Sequence, residues 1–284
     1  MNQRPGRAGA SGRAQGDAWL TVATLNTRGV PVTGSRLAGR YRAIGQAFEV
    51  SDADVVAFQE VFTYWHLRLL ARWMPSFRHV AYRSTAVGPA GGLTTFSRLP
   101  VSARAYHGFG FPARAPGVSW PTRARACLKG VLAVQLPDPG VCVVNTHPVA
   151  NRDGDWSQAN RFFPLHRGQL GVVARVVDAT TGPAVVCGDF NVARDSGLLR
   201  GFLSETRVAD AFRGQCPATF HGEYLDPAER ARCIDFILVS AQINAGITRV
   251  LFDSRQLLGG RREYLSDHIG LYASLYRVPV SAPM

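Results

Sequence analysis

Short β-branched runs that end in polar residues recur along the chain. Residues 19–25 run into Asn26, residues 54–58 into Gln59 and Glu60, and residues 141–144 into Asn145, Thr146 and His147. Residues 184–187 run into Gly188, Asp189, Phe190 and Asn191, while the run 234–239 carries Asp235 near its start. Such runs fit buried strands, and polar groups at the ends of buried strands are where open sheets build sites. Between them lie helical spacings: Leu37, Tyr41, Ile44 and Phe48; then Leu67, Leu70 and Trp73; then Leu170, Val173 and Val177, with Pro164 acceptable in a first turn. Gly and Pro punctuation marks longer loops at 87–92 and 108–121. Strands inside and helices outside predict an α/β fold, with a single domain over 18–284.

Composition narrows this only a little. The chain has 284 residues, 46% apolar and 18% charged, without low-complexity tracts. Nothing approaches the roughly 20 apolar residues of a membrane-spanning helix. Residues 1–17 hold Arg4, Arg7 and Arg13 among small residues and lack the apolar core of a secretory signal. A disordered basic tail on a cytoplasmic chain is therefore expected. The formal charge of +12 points to a polyanionic partner, whether nucleic acid, a phospholipid surface met peripherally or a phosphorylated small molecule, or else to a solvated Arg-rich exterior. No obligate protein partner is evident. Five cysteines follow no spacing pattern, so free thiols are expected, with Cys216 and Cys233 as the alternative pair for a bridge. Of the 32 Lys and Arg residues a single one, Lys129, is lysine, which suits a place where a compact point charge is needed.

The chemistry-bearing residues form a set. Asn26, Glu60, Asp189, Asn191 and Asp267 offer oxygen atoms without clustered cysteine, which suits Mg²⁺, with Mn²⁺ as a substitute, rather than zinc. His147 and His268 are candidate acid-base groups, one to activate water and one to protonate a leaving group. An imidazole in that role needs a carboxylate to fix its tautomer, and Asp235 is the candidate partner of His268. Taken singly each has a plainer reading: Asn26 as a turn residue, Glu60 as a helix start, His147 as a structural histidine.

Together, Thr24-Leu25-Asn26, Gln59-Glu60, Asn145-Thr146-His147, Gly188-Asp189-Phe190-Asn191, Ile234-Asp235 and Ser266-Asp267-His268 stand in the order of the endonuclease/exonuclease/phosphatase superfamily, which the chain resembles from Trp19 to Tyr276. The resemblance implies a two-sheet α/β sandwich of the deoxyribonuclease I-like type. It implies that Asn26 and Glu60 hold Mg²⁺, that His268 is the general base oriented by Asp235, and that Asp189 and Asn191 position water or phosphate. Asp267 would bind or orient near the metal, and His147 would donate to the phosphate or leaving group.

Further stretches are similar to the neutral sphingomyelinase branch: Gly91-Gly92-Leu93 followed by residues 96–101, Lys129-Gly130, Ala150 with His166-Arg167 and Gln169, and Asp210-Ala211-Phe212. On this resemblance Lys129 binds substrate. The expected function is a Mg²⁺-dependent phosphodiesterase of sphingomyelinase or phospholipase C type. The alternatives are a Mg²⁺-dependent endonuclease and, behind it, a phosphoinositide phosphatase or an inactive binding module. Phe109, Phe111 and Trp120 with Arg104, Arg114, Arg123 and Arg125 suggest an aromatic-basic lip for lipid or nucleic acid.

Overall fold

Alternation along the strands sorts the chain into layers. The computed structural model describes residues 18–30, 36–112, 115–227 and 229–279; the expected tail, 1–17, and Arg114 lie outside the described residues. Strand β1 (Leu20–Asn26) runs parallel to β2 (Val55–Gln59), with Asn26 opposite Gln59. On its other side β1 meets β14 (Gly270–Arg277) antiparallel. The first sheet is completed by β3 (His79–Ala81), β4 (Thr94–Ser97) and β11 (Ile243–Leu251), in the order β11-β14-β1-β2-β4-β3.

The second sheet joins β5 (Ala103–Gly108), β6 (Gly130–Leu136), β7 (Val141–Thr146), β8 (Ala184–Asp189), β9 (Ala209–Asp210) and β10 (Asp235–Val239), in the order β5-β6-β7-β8-β10-β9. A hairpin of β12 (Gln256–Leu258) and β13 (Arg261–Glu263) stands apart.

Period-two alternation puts Leu20, Val22, Val55 and Ala57 into one core with Val143, Val185 and Ile237 of the facing sheet. The intervening Ala23, Leu25, Val56 and Phe58 turn outward. They are covered by Tyr41, Ile44 and Phe48 of α1 (Leu37–Glu49) and Leu70 of α2 (Tyr64–Trp73). Helices α4 (Phe163–Asp178) and α5 (Gly197–Thr206) cover the second sheet with Leu170, Val173, Leu198 and Phe202. The α/β sandwich expected from the sequence is the fold observed.

Two helices escaped the sequence reading. Gly197 and Gly201 weaken the helical signal of α5, which instead starts on Ser196, whose Oγ accepts from the Leu199 amide at 3.2 Å. Helix α3 (Trp120–Leu128) begins inside the stretch assigned to a loop, with Pro121 in its first turn.

Asn145 ties the two sheets together. Fully buried on β7, its Nδ2 donates to the Phe58 carbonyl (3.0 Å) and the Thr94 carbonyl (3.1 Å), and its Oδ1 accepts from Gln59 Nε2 at 2.8 Å. Gln59 Nε2 also reaches Thr24 Oγ1 at 3.0 Å. An Asn145→Ala variant removes all three of its bonds between the sheets, and urea unfolding should show a loss of about 3 kcal/mol. All five cysteines are free thiols, Cys216 and Cys233 included. Among the described residues no helix is long and apolar enough to cross a membrane.

Candidate active site

The parallel pairs β1/β2 and β7/β8 end at the same edge of the sandwich, and the antiparallel β10 and β14 begin there. That polarity gathers the strand-end polar residues into one cleft. Asp189, the last residue of β8, sits opposite Asp235, the first of β10.

Asp189 is the hub. Its Oδ1 accepts from the Asn191 amide at 2.9 Å, and its Oδ2 accepts from Asn26 Nδ2 at 3.0 Å and Asn191 Nδ2 at 3.1 Å. Two imidazoles point at the same Oδ2, His147 Nε2 from 3.3 Å and His268 Nε2 from 3.6 Å. Burial alone would raise this carboxyl, but His268, His147 and Lys129 outweigh it and hold it well below the usual carboxylate range. Asn191 takes a left-handed backbone (φ 51°), a conformation asparagine tolerates, and its Nδ2 also donates to the Pro148 carbonyl at 3.1 Å.

His268 is oriented from behind. Its Nδ1 lies 2.9 Å from Asp235 Oδ2, both buried, so Nδ1 carries a proton and Nε2 is turned toward Asp189. Burial works against a charged imidazole here, but Asp235 and Asp189 overcome it and push His268 up to about 10. Phe220 meets the ring edge-on with centroids 4.9 Å apart. Thr219 Oγ1 accepts from the amides of Ile234 (2.9 Å) and Asp235 (3.1 Å), fixing the start of β10.

Lys129 comes from the head of β6, its Nζ 2.7 Å from His147 Nε2 and 3.1 Å from the Pro148 carbonyl. Burial depresses the amine to about 8, against the pull of Glu60 and Asp189. His147 Nε2 thus lies between the Lys129 amine and the Asp189 carboxylate, where it can hold or release a proton. Burial and then Lys129 lower His147 below its ordinary value.

Glu60 follows β2 with a left-handed backbone (φ 64°). Its carboxylate acts electrostatically on both Lys129 and His147, so it shares their cleft. Gly29 makes room for this turn: a Cβ there would collide with the Glu60 carbonyl oxygen. Asp267 stands at the rim, its Oδ2 3.6 Å from Arg28 Nε. All the sequence-predicted residues are thus brought to one end of the sandwich, with Asp267 the most peripheral.

Several contributors were missed. Arg40 is buried on α1 and donates to the carbonyls of Thr27 (3.0 Å), Arg28 (2.9 Å) and Leu265 (2.8 Å), tying the segment after Asn26 to the one before His268. Ser266 Oγ adds a bond to the Asn26 carbonyl at 2.6 Å. The signal for Arg40 was present, because a charge falls within the apolar stripe of Leu37, Tyr41 and Ile44. Arg28 donates its amide to Asn26 Oδ1 (3.0 Å) and lays its guanidinium over Tyr224 at 4.2 Å. Trp156 Nε1 caps the Asn191 carbonyl at 2.9 Å.

His166 and Gln169 fix the loop after His147. His166 Nε2 donates to the Val149 carbonyl (2.8 Å), and Gln169 Oε1 accepts from the Val149 amide (3.1 Å). Complete burial holds His166 down to about 4. The unfolded chain therefore binds this proton near pH 6.5 and the native one only near pH 4, so stability is lost as pH falls through that window. Denaturation between pH 7 and 4 should show about 3 kcal/mol of this loss in the native protein and a flatter curve in His166→Gln.

Paired imidazoles, a lone ammonium and a knot of oxygen donors meet in this cleft, and the buried hydroxyl of Ser266 is committed to the Asn26 carbonyl. Such a cleft can gather negative charge developing on phosphorus and move protons to and from oxygen. Such an arrangement suits the chemistry of phosphoric esters. The chain belongs to the Endonuclease/Exonuclease/phosphatase family, whose model matches residues 23–268.

A Drosophila melanogaster protein named "Putative neutral sphingomyelinase" is 25% identical over 277 residues, which cover 90% of this chain and 60% of the relative. The chain thus spans about 60% of that relative's length. Among solved structures, sphingomyelinase C from Streptomyces griseocarneus superposes with a TM-score of 0.65 at 20% identity, covering 89% of this chain and 98% of its own. D. rerio TDP2 complexed with a single strand DNA product gives 0.67 at 17% identity, over 90% and 98%. A beta toxin mutant from Staphylococcus aureus with bound magnesium ions gives 0.67 at 16% identity, over 90% and 99%. Similarity at these identities establishes a shared fold.

Proposed function

We propose that residues 18–284 form one catalytic domain, a divalent-metal-dependent phosphodiesterase of the sphingomyelinase or phospholipase C type. The observation that carries the reaction is His268, held by Asp235 on Nδ1 with Nε2 facing the cleft, where the neutral ring takes a proton from water. In this reading His268 is the general base and Asp235 keeps its tautomer. Asp189 and Asn191 position water and the phosphoryl oxygens. Lys129 and His147 face the phosphate from the other side, where the ammonium offsets its charge and His147 passes a proton to the leaving oxygen.

The donor set fits a hard cation. Asn26 is fixed by its bond to Asp189 so that its carboxamide oxygen is held in place, and Glu60 brings a carboxylate to the same cleft. Asn26 and Glu60 would hold Mg²⁺, with Asp267 nearby. Asp189, Asp235 and His268 also lie within ligating distance of one another, but the Asp235–His268 bond suits a base and its orienting carboxylate better. When bound, Mg²⁺ supplies positive charge to a non-bridging phosphate oxygen and to the leaving oxygen. A cation held by Asn26, whose Nδ2 bonds Asp189, would also lower His268 toward the range where a base works.

Support for a phospholipid substrate comes from the sphingomyelinase relatives and from Lys129 at the mouth of the His147 strand. The net charge of +12 and the DNA-bound neighbour favour a second reading as a nuclease. Purified protein with Mg²⁺ should release phosphocholine from sphingomyelin; plasmid nicking without any lipid cleavage decides for the nuclease.

A further inference from the structure

Among the described residues, nine large hydrophobic side chains are exposed, and seven of them stand on segments at the end of the sandwich that carries the site. Val30 lies four residues beyond Asn26. Trp65 is in the first turn of α2, which leaves the end of β2, and its neighbour Tyr64 donates its amide to the carbonyl of Val87. The next three lie between β5 and β6, which pair at Gly108 and Gly130 on this end: Phe111, Trp120 and Leu128, the last one residue before Lys129. Leu257 is on the hairpin that precedes Ser266. Only Val50 and Ile247 lie elsewhere, the first at the far end of α1 and the second on edge strand β11.

The exposures are large. Val87 is 71% exposed, Trp120 69% and Leu128 72%. They also surround the cleft rather than cluster on one flank, since the β2–β4 side, the β5–β6 side and the β14–β1 side each contribute. Exposed arginines stand among them: Arg83 near Val87, Arg125 on α3, and Arg261 and Arg262 on the hairpin. Aliphatic side chains such as Val87 and Leu128 gain nothing from a nucleic-acid backbone, whose affinity comes from phosphate contacts. A bilayer rewards both classes at once, apolar tips entering the headgroup boundary and arginines meeting anionic lipid.

We propose that this end of the molecule is a bilayer-docking face, in which Trp65, Val87, Phe111, Trp120 and Leu128 enter the headgroup region of a membrane containing anionic phospholipid. The inference rests on the reading of the substrate as a phospholipid. A scissile phosphate lies in the headgroup layer, so an apolar ring around the cleft would bring the site face-on to it.

The test is flotation of the full chain carrying His268→Ala, which keeps lipid intact, with phosphatidylcholine vesicles with and without one-fifth phosphatidylserine. The expected result is binding enhanced by phosphatidylserine and weakened about tenfold by Trp120→Ser and again by Val87→Ser. Ile247→Ser, on the edge strand, should bind as the parent does. In the otherwise native chain the same rim changes should leave hydrolysis of a small soluble phosphodiester unchanged. Binding that survives both rim substitutions overturns the proposal, as does failure to float combined with tight binding to duplex DNA. If vesicles bind in the expected pattern but no phospholipid is cleaved, the substrate reading falls and the docking face stands.

Discussion

His268→Ala is expected to lower phosphodiester hydrolysis by about 10²–10⁴-fold while leaving the fold intact, because it removes the group placed to take a proton from water. Asp235→Asn should cost less, about 10–10²-fold, and should also move the pH profile. Asp235 raises His268, which is pushed up to about 10. Loss of the carboxylate charge therefore lowers the imidazole. A base works only when neutral, so the acid limb of the kcat/KM profile should shift to lower pH in Asp235→Asn. A shift to higher pH, or full activity in His268→Ala, assigns the base elsewhere. Circular dichroism and thermal midpoints on both variants separate lost chemistry from lost structure.

Glu60→Gln carries the second large effect. In the proposed arrangement its carboxylate is the one full negative charge that Asn26 cannot replace. A carboxamide is a far weaker ligand for a hard cation. The variant should need Mg²⁺ raised on the order of 10²-fold to reach half its maximal rate, and its rate at saturating metal should also fall. Calorimetric titration with Mn²⁺ reads the affinity without turnover. Because Glu60 occupies a left-handed backbone beside Gly29, Gln is preferred over a β-branched substitute, which would add strain at that turn. Unaltered metal affinity in Glu60→Gln would remove this residue from the metal site.

The layers of the fold were legible wherever burial imposes one pattern. The runs ending at Asn26, Gln59, Thr146 and Asp189 are buried along their whole length, and each forms a strand within two residues of its expected bounds. Helices α1, α2 and α4 announced themselves because one face of each meets a sheet. Helix α3 did not, since it packs mainly on a small satellite core of Ala115, Val118, Ala126 and Val149 and exposes Trp120 and Leu128. Strand β5 is an exposed edge with little burial to shape its sequence.

The chemistry-bearing residues were legible as strand-end polar groups, and the polarity of the parallel pairs explains why they converge. What sequence could not give was the supporting frame. Thr219 acts through two backbone amides, partners that leave no trace in side-chain identity, and Arg40 through three backbone carbonyls, marked in the sequence just by a charge within an apolar stripe. Asn145 shows the reverse case. It stands beside His147 in a motif that reads as chemistry, yet its bonds join the two sheets.

The most direct test of the account is hydrolysis of a soluble phosphodiester by the purified chain, measured with Mg²⁺, after EDTA, and after Mg²⁺ is restored. The account predicts turnover that EDTA abolishes and Mg²⁺ restores, with His268→Ala inactive throughout. Turnover that continues at the same rate in EDTA, or no turnover of any phosphodiester under metal saturation, would contradict it.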